Sequence, residues 1–355
     1  MPTNLMWNDR LSLVEAWNLN SLNSKLENLQ LSLKEEESNA SILKSFPSYY
    51  LVEVTNRCNL RCALCPTQYN DTDMPRGFID IDYYKSIVDV VKRNAIIFEL
   101  QNWGEPFLHK DIIEIIRYAT SNDIFAVISS NFSLHLSTEF LERILSSGLG
   151  VLHIDIDGIS QSTYETYRRG GNLSIVLKNL KAIINLKQKL GLSYPIVETA
   201  MIVNSYNECE VEQYKELMGE IGVDSVLISK LQISPNTSMN WLPNNPEYRY
   251  NNYLENQQHP SSCQRLYTSL TINWDGRISP CCLTYDKESD FSMHIQDGKF
   301  HLEWNNSYFE SARRSFSSMR DNLPHTICHE CKNCLGDSNL NHFRDTFAIA
   351  LRSAI

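Results

Sequence analysis

A basic excess is missing from this chain. Lys and Arg number 32 against 42 Asp and Glu, a formal net charge of −10. No Lys/Arg-rich run stands out, so nucleic-acid binding through a positive face is a poor reading. Long apolar runs are missing too: no stretch approaches the ~18 residues that span a bilayer. The opening Met1-Pro2-Thr3-Asn4 lacks the charged start and apolar core of a secretory signal. A cytoplasmic location with no membrane partner is therefore expected. Hydrophobic residues at 42% and charged residues at 21% suit an ordinary globular protein, and 355 residues suit one large domain plus a smaller one.

Cysteine is not scarce, and its placement is uneven. Cys58, Cys62 and Cys65 form one group, while Cys263, Cys281, Cys282, Cys328, Cys331 and Cys334 lie in the last hundred residues. Only Cys209 stands between them. A reducing compartment disfavours disulfides, so the clustering points to metal ligation or catalysis.

Residues 1–47 read as a polar helical appendage with Leu at helical spacing. From Tyr49 onward, apolar β-branched runs alternate with amphipathic stretches. The runs are Tyr50–Thr55, Ala95–Leu100, Ile124–Ser129, Val151–Ile156, Ile196–Val203 and Ser225–Ser229. Between them lie helices expected near 82–92, 111–121, 138–147, 173–189 and 208–221. This alternation implies a parallel sheet with right-handed crossovers, either a partial (β/α)6 barrel or an open doubly wound sheet. Residues 48–230 form this core, 231–262 a linker, 263–340 a small cysteine-rich α+β domain and 341–355 a tail. Chemistry collects where parallel strands end. The first cysteine group falls on that rim, just after the first strand.

Cys58-Asn59-Leu60-Arg61-Cys62-Ala63-Leu64-Cys65 is Cys-x3-Cys-x2-Cys. Three thiolates on one loop suit an iron–sulfur cubane that keeps one iron open. The motif resembles that of the radical S-adenosylmethionine (SAM) superfamily, in which such a loop follows the first strand of a partial TIM-type barrel. The resemblance implies a [4Fe–4S] cluster whose open iron binds SAM, and reductive cleavage of SAM to a 5′-deoxyadenosyl radical. It also implies roles for neighbouring rim residues. Gly104-Glu105-Pro106 looks like the family's Gly-Gly-Glu-Pro segment, with Trp103 for the first Gly, and would meet the methionyl amino group. Ser130-Asn131-Phe132 stands where relatives carry Thr-Asn-Gly. Asp155-Ile156-Asp157-Gly158 resembles Ser-Ile-Asp-Gly, with Asp157 as the matching carboxylate. Arg168 or Arg169 would pair with the SAM carboxylate, Arg169 being the one assigned.

In the second group, Thr271–Ile278 reads as a hairpin turning at Asp275-Gly276. Cys328, Cys331 and Cys334 give two overlapping Cys-x2-Cys pairs. By residue type alone this is a zinc or a [4Fe–4S] site. Attached to the core above, Cys263…Gly276-x4-Cys281 resembles the opening of the SPASM and twitch extensions, which implies an auxiliary [4Fe–4S] cluster. A full SPASM domain carries more cysteines, so one auxiliary cluster is expected, two being the fuller alternative. The expected ligands are Cys263, Cys281, Cys328 and Cys331, with Cys334 able to replace either of the last two. Cys282, beside a ligand, is a candidate hydrogen donor to a substrate radical.

The resemblance implies a radical SAM oxidoreductase that dehydrogenates a small polar substrate such as a sugar or aminocyclitol. Maturation of a ribosomal peptide, by crosslinking or epimerisation, is the second reading. A flavodoxin- or ferredoxin-type reductant is the implied partner. Outside that family, the alternatives are a zinc-stabilised binding module and an iron–sulfur electron carrier.

Overall fold

Six apolar runs become six parallel strands in sequence order: β1 (Tyr49–Val52), β2 (Ile97–Glu99), β3 (Phe125–Ser130), β4 (Val151–Asp155), β5 (Ile196–Val203) and β6 (Ser225–Lys230). In β1 to β5 the residues are buried on both faces almost throughout, which is why they read as continuous rather than alternating runs; β6 at the edge is only half-buried. The computed structural model describes residues 21–68, 75–231, 239–249, 262–282, 284, 289–293, 295, 299–316 and 323–331. Cys334 and the tail lie outside them.

The crossover helices form where the sequence places start signals and an apolar stripe. They are α2 (Ile81–Val91), α3 (Ile112–Ser121), α4 (Thr138–Leu145), α5 (Gln161–Tyr167), α6 (Leu173–Lys189) and α7 (Val211–Ile221). Asp80, Ser137, Ser160 and Asn172 cap α2, α4, α5 and α6 by accepting backbone N–H groups of the first turn. These helices cover one face of the sheet. There Tyr50, Val52, Phe98, Ala126, Ile128, Leu152, Ile154 and Val197 share one large core with helix side chains such as Ile87, Ile116, Ile144 and Ile183.

The other face is the inner one of an open, partial barrel. Its lower part is apolar and is plugged by α1 (Leu22–Glu37): Leu26, Leu29 and Leu33 pack on Tyr49, Leu51, Ile97, Phe125, Val127 and Val151. The stretch expected as an appendage therefore contributes the floor of the barrel. Its polar face is also tied down. Asn28 exchanges hydrogen bonds with the backbone of Phe46, and Glu35 accepts from the backbone N–H groups of Lys44 and Ser45.

Beyond the linker, α8 (Arg265–Thr268) leads into β7 (Ser269–Ile272), which pairs parallel with β1. β8 (Arg277–Ser279) and β9 (Ser292–Met293) then add antiparallel strands, giving one nine-stranded open sheet. The β7–β8 turn forms at Asp275-Gly276 as read, with Gly276 at φ +87°. So the cysteine-rich unit begins as an extension of the core sheet. Helices α9 (Phe300–Trp304) and α10 (Ser307–Arg314) pack behind it. Buried Arg313 fastens them to the N-terminal segment, donating to the carbonyls of Leu266, Trp304 and Ser41.

Candidate active site

The loop after β1 carries Cys58, Cys62 and Cys65, and three neighbours hold it by main-chain bonds. Glu105 N–H donates to the Arg57 carbonyl (2.9 Å), and Arg61 N–H and Ala63 N–H donate to the carbonyls of Arg169 (3.0 Å) and Tyr167 (2.9 Å). From the β3 end, Asn131 Nδ2 donates to Asn59 Oδ1 (2.9 Å) and lies 3.8 Å from Cys58 Sγ. An apolar wall of Leu60, Tyr167, Leu231 and Trp241 surrounds the loop.

The close approach of the first two loops explains Gly104. A Cβ there would stand 2.1 Å from the Thr55 carbonyl oxygen and 2.9 Å from that of Arg57. Glu105 is 1% exposed and turned toward β3: Oε1 accepts from Ser130 Oγ (2.8 Å) and Phe107 N–H, and Oε2 from Asn131 N–H (2.8 Å). Burial pushes its carboxyl up to about 7, against the pull of those donors. Pro106 follows in a short 3-10 turn. Phe132 holds the left-handed conformation that a Gly would take freely, at φ +55°, and is fully buried against Phe107.

Of the two arginines, Arg168 turns inward. Its Nε donates to Asp157 Oδ2 (2.5 Å), its Nη2 lies 3.4 Å from Asp155 Oδ1, and its Nη1 lies 4.0 Å from Cys62 Sγ. The Arg169 side chain is exposed, and only its carbonyl meets the cluster loop. Asp157 is fully buried, its second oxygen accepting from Ile202 N–H (2.6 Å). Burial raises its carboxyl despite Arg168.

Above the apolar floor, the register places a row of polar side chains side by side on the inner face. Asn273, Glu53, Gln101, Ser129, His153 and Glu198 come from β7 or its turn, then β1 to β5 in sheet order or just beyond the strand ends. His153 Nδ1 lies 2.7 Å from Glu198 Oε1 and its Nε2 3.4 Å from Asp155 Oδ1. Burial opposes its protonation, but these two carboxylates win and push it up to about 9. The same chain, through Arg168 and His153, holds Asp155 well below the usual carboxylate range against the cost of burial. Glu53 accepts from Trp103 N–H and Trp274 N–H (both 3.3 Å), linking the loop after β2 to the β7–β8 turn. Burial pushes its carboxyl up to about 7. The sequence carries no local signal for this row, because its members come from six segments that only the sheet register aligns.

The second cysteine group assembles from distant segments. Cys263 precedes α8, Cys281 follows β8, and Cys328 and Cys331 lie in and after a 3-10 turn at 327–330. Burial raises the Cys328 thiol, and the nearby Cys281, Cys263 and Cys331 add to the effect, so the four expected ligands are neighbours. Cys282 points elsewhere, into the barrel floor among Tyr49, Leu51 and Val127, and accepts from Arg265 Nη1 at 3.2 Å. Cys209 is exposed and isolated.

The donor set of the first loop fits an iron–sulfur cluster. Burial pushes Cys58 up to about 12 and Cys62 up to about 11, and the neighbouring sulfurs of the loop add to both. Such thiols ionise only with a strong positive partner, which cluster iron provides. Among the described residues, no three Cys, His or carboxylate groups converge on a single-ion site.

A partial barrel with a three-thiolate loop after its first strand and a second thiolate group on the sheet's extension defines an iron–sulfur enzyme. A model of the radical SAM superfamily matches residues 52–234, more than half of the chain, and a model of the SPASM iron–sulfur cluster-binding domain matches 263–335. The chain belongs to the radical SAM superfamily. Its cofactors are SAM, a [4Fe–4S] cluster and auxiliary iron–sulfur in the C-terminal part.

Among curated proteins, it is 22% identical over 264 residues to the tungsten-containing aldehyde ferredoxin oxidoreductase cofactor-modifying protein of Pyrococcus furiosus, covering 66% of this chain and 70% of that one. It is 25% identical over 189 residues to GTP 3′,8-cyclase of Alkaliphilus metalliredigens, covering 52% of this chain and only 57% of the relative. Among solved structures, SuiB of Streptococcus suis bound to S-adenosylmethionine aligns with a TM-score of 0.61 at 15% identity, over 84% of this chain and 72% of SuiB. No helix among the described residues is long and apolar enough to cross a membrane.

Proposed function

We propose that this enzyme dehydrogenates a small polar substrate, a sugar or aminocyclitol, held on the inner face of the barrel between its two cysteine sites. The observation that supports it is the row of six polar side chains on that face, bounded below by the apolar floor. Such a chamber suits a compact, hydrogen-bonding molecule.

Cys58, Cys62 and Cys65 would hold the SAM-binding cluster. Cys263, Cys281, Cys328 and Cys331 would hold one auxiliary cluster, Cys334 being the alternative to either of the last two. Bound there, these groups supply a 5′-deoxyadenosyl radical to remove a hydrogen atom and a one-electron acceptor for what remains. The chain's own residues do the rest. Gly104 lets the Glu105 loop close on the cluster loop, and Glu105 with Ser130, Pro106 and Asn131 shapes the pocket for the methionyl end of SAM. Arg168 and Asp157 carry the charge next to Cys62; Arg169 lies at the rim, where it can reach the SAM carboxylate. Oxidising a carbinol radical also releases a proton. Glu53, whose carboxyl titrates near 7 between the two sites, is suited to take it. A flavodoxin- or ferredoxin-type protein would supply the reducing electron.

Two observations favour other substrates or outcomes. SuiB has been crystallised with the precursor peptide SuiA, which supports a ribosomal peptide as the alternative substrate. Cys282 lies in the barrel floor, which supports hydrogen return and hence epimerisation.

The test is anaerobic reconstitution of wild type and a Cys58/Cys62/Cys65→Ala variant, with iron counts and an assay for 5′-deoxyadenosine under strong reductant. Nucleoside from wild type only, with auxiliary iron kept in the variant, supports the cluster assignment. A carbonyl product two hydrogens lighter than the substrate supports dehydrogenation. Solvent deuterium in a product of unchanged mass class, lost in Cys282→Ala, would replace it with epimerisation.

A further inference from the structure

One row below the polar ring, the inner face is apolar except on two strands. Leu51, Val127 and Val151 occupy β1, β3 and β4; Glu99 stands on β2 and Thr271 on β7. Glu99 is 4% exposed, its Oε1 is fully buried, and that oxygen has no hydrogen-bond partner among the described residues. Thr271 Oγ1, 1% exposed and in register with the same Leu51, is likewise unpartnered.

The cations near this face are already engaged. Arg168 is bound to Asp155 and Asp157, His153 to Glu198 and Asp155, and Arg277 to Asp275 and Asp290; on the floor side Arg265 donates to Cys282 Sγ and Lys25 to the Asp123 carbonyl. A buried carboxylate with neither counter-charge nor donor opposes folding. A glutamine, a leucine or a valine would serve the packing better at this position. Its fit is to something the described residues do not supply.

We propose that Glu99, helped by the Thr271 hydroxyl, is the anchor for a protonated amine of the substrate. This rests on the reading that the inner face is the substrate chamber. A neutral hydroxyl could donate to Glu99, but it offers a single donor and no charge to match a carboxylate. An ammonium brings both the charge and three donors, enough for Glu99, Thr271 and one further acceptor. The anchor lies on the floor side of the ring, and α1 closes that floor. The amine therefore enters first, and the carbons behind it are presented at the rim where the radical forms. The amine can belong to an aminocyclitol or to a lysine side chain, since both present a primary ammonium with three donors.

The test uses reconstituted holoenzyme saturated with SAM, so that SAM's own sulfonium is already accommodated. Calorimetric titrations compare 2-deoxystreptamine with myo-inositol, and a lysine tripeptide with its norleucine counterpart. The expected result is that one amine binds about tenfold or more tighter than its uncharged counterpart, the strength of a charged hydrogen bond. Glu99→Gln removes that preference, and Glu99→Asp keeps part of it. Glu99→Gln also raises the Tm of the ligand-free protein, which a structural carboxylate would not do. Amines and neutral analogues binding wild type alike would overturn the proposal. So would a preference that survives Glu99→Gln, a lower Tm in that variant, or a loss confined to SAM affinity. Failure of wild type to make 5′-deoxyadenosine is a separate result and counts against the catalytic reading instead.

Discussion

Replacing Gly104 with alanine adds one methyl group and should nearly silence the enzyme. The new Cβ would sit 2.1 Å from the Thr55 carbonyl oxygen, 2.8 Å from its carbon and 2.9 Å from the Arg57 oxygen. Ordinary carbon–oxygen contacts begin near ~3.3 Å, so the two loops must part by about 1 Å. All three obstacles are backbone, and none can swing away as a side chain would. Overpacking of this kind costs about 1–3 kcal/mol. Parting the loops also loosens the Glu105 N–H to Arg57 carbonyl bond of 2.9 Å, worth about 1 kcal/mol more. The total of ~2–4 kcal/mol is local and leaves the barrel folded. Its effect on chemistry is larger, because misplacing a reacting group by about 1 Å costs about 10²-fold in rate.

The assay is 5′-deoxyadenosine formation, read beside iron content and thermal unfolding. Gly219→Ala is the control: it lies in α7, nothing stands within 4 Å of its added Cβ, and alanine there should stabilise by about 0.5–1 kcal/mol. Gly104→Ala should keep its auxiliary iron and lose about two orders of magnitude in nucleoside formation. Wild-type rate and SAM affinity in Gly104→Ala would refute the claim that loop contact fixes the site.

Glu53 should impose a limb on the pH profile of substrate oxidation: the rate rises as its carboxyl ionises near 7, and Glu53→Gln loses both the limb and about 10²–10⁴-fold in product. His153, raised above its unfolded value of 6.5 to about 9, contributes stability that is complete below pH 6.5 and lost as pH rises through 9. Denaturant titrations should show wild type losing up to ~3 kcal/mol over that window relative to His153→Gln. Phe132→Gly, although it restores the residue seen in relatives, should destabilise: relieving backbone strain returns ~1 kcal/mol, but deleting a buried aromatic costs ~3–5 kcal/mol. A more stable Gly variant by chemical denaturation would show that the ring contributes little. Cys331→Ala should lose auxiliary iron while Cys334→Ala keeps it, as counted after reconstitution. The reverse would move the fourth ligand to Cys334.

Much of the barrel could be read in advance because its signals are local. Buried parallel strands show as apolar runs and helices as 3.6-residue stripes, so β5 and α6 have the bounds expected of them. What escaped was set by long-range packing. The Leu26, Leu29 and Leu33 stripe was visible, but that it plugs the barrel was not. Which of two adjacent arginines faces the cluster depends on the backbone at the end of α5, where Arg168 leaves the helix at ψ 60° and turns inward. Residue order alone does not distinguish Arg168 from Arg169. The polar inner row was hidden for a related reason. Its members lie on six different strands or just past their ends, and only the register aligns them.

The same register explains why the cysteine-rich part is not a separable module. β7 pairs with β1 through the four residues Tyr49–Val52, and Leu266, Tyr267, Leu270 and Ile272 lie in the main core. Trp274 covers Gly77, whose Cβ would meet its ring at 2.2 Å, and Trp103 Nε1 donates to the Thr284 carbonyl at 3.1 Å. Glu53 joins both tryptophans through their backbone N–H groups. Electron transfer between two cofactor sites needs a fixed separation, and a flexible linker cannot supply one. By sharing a sheet, the two cysteine sites are held by the same strand-to-strand hydrogen bonds. A shift of Glu53 therefore moves the loop after β2 and the β7–β8 turn together.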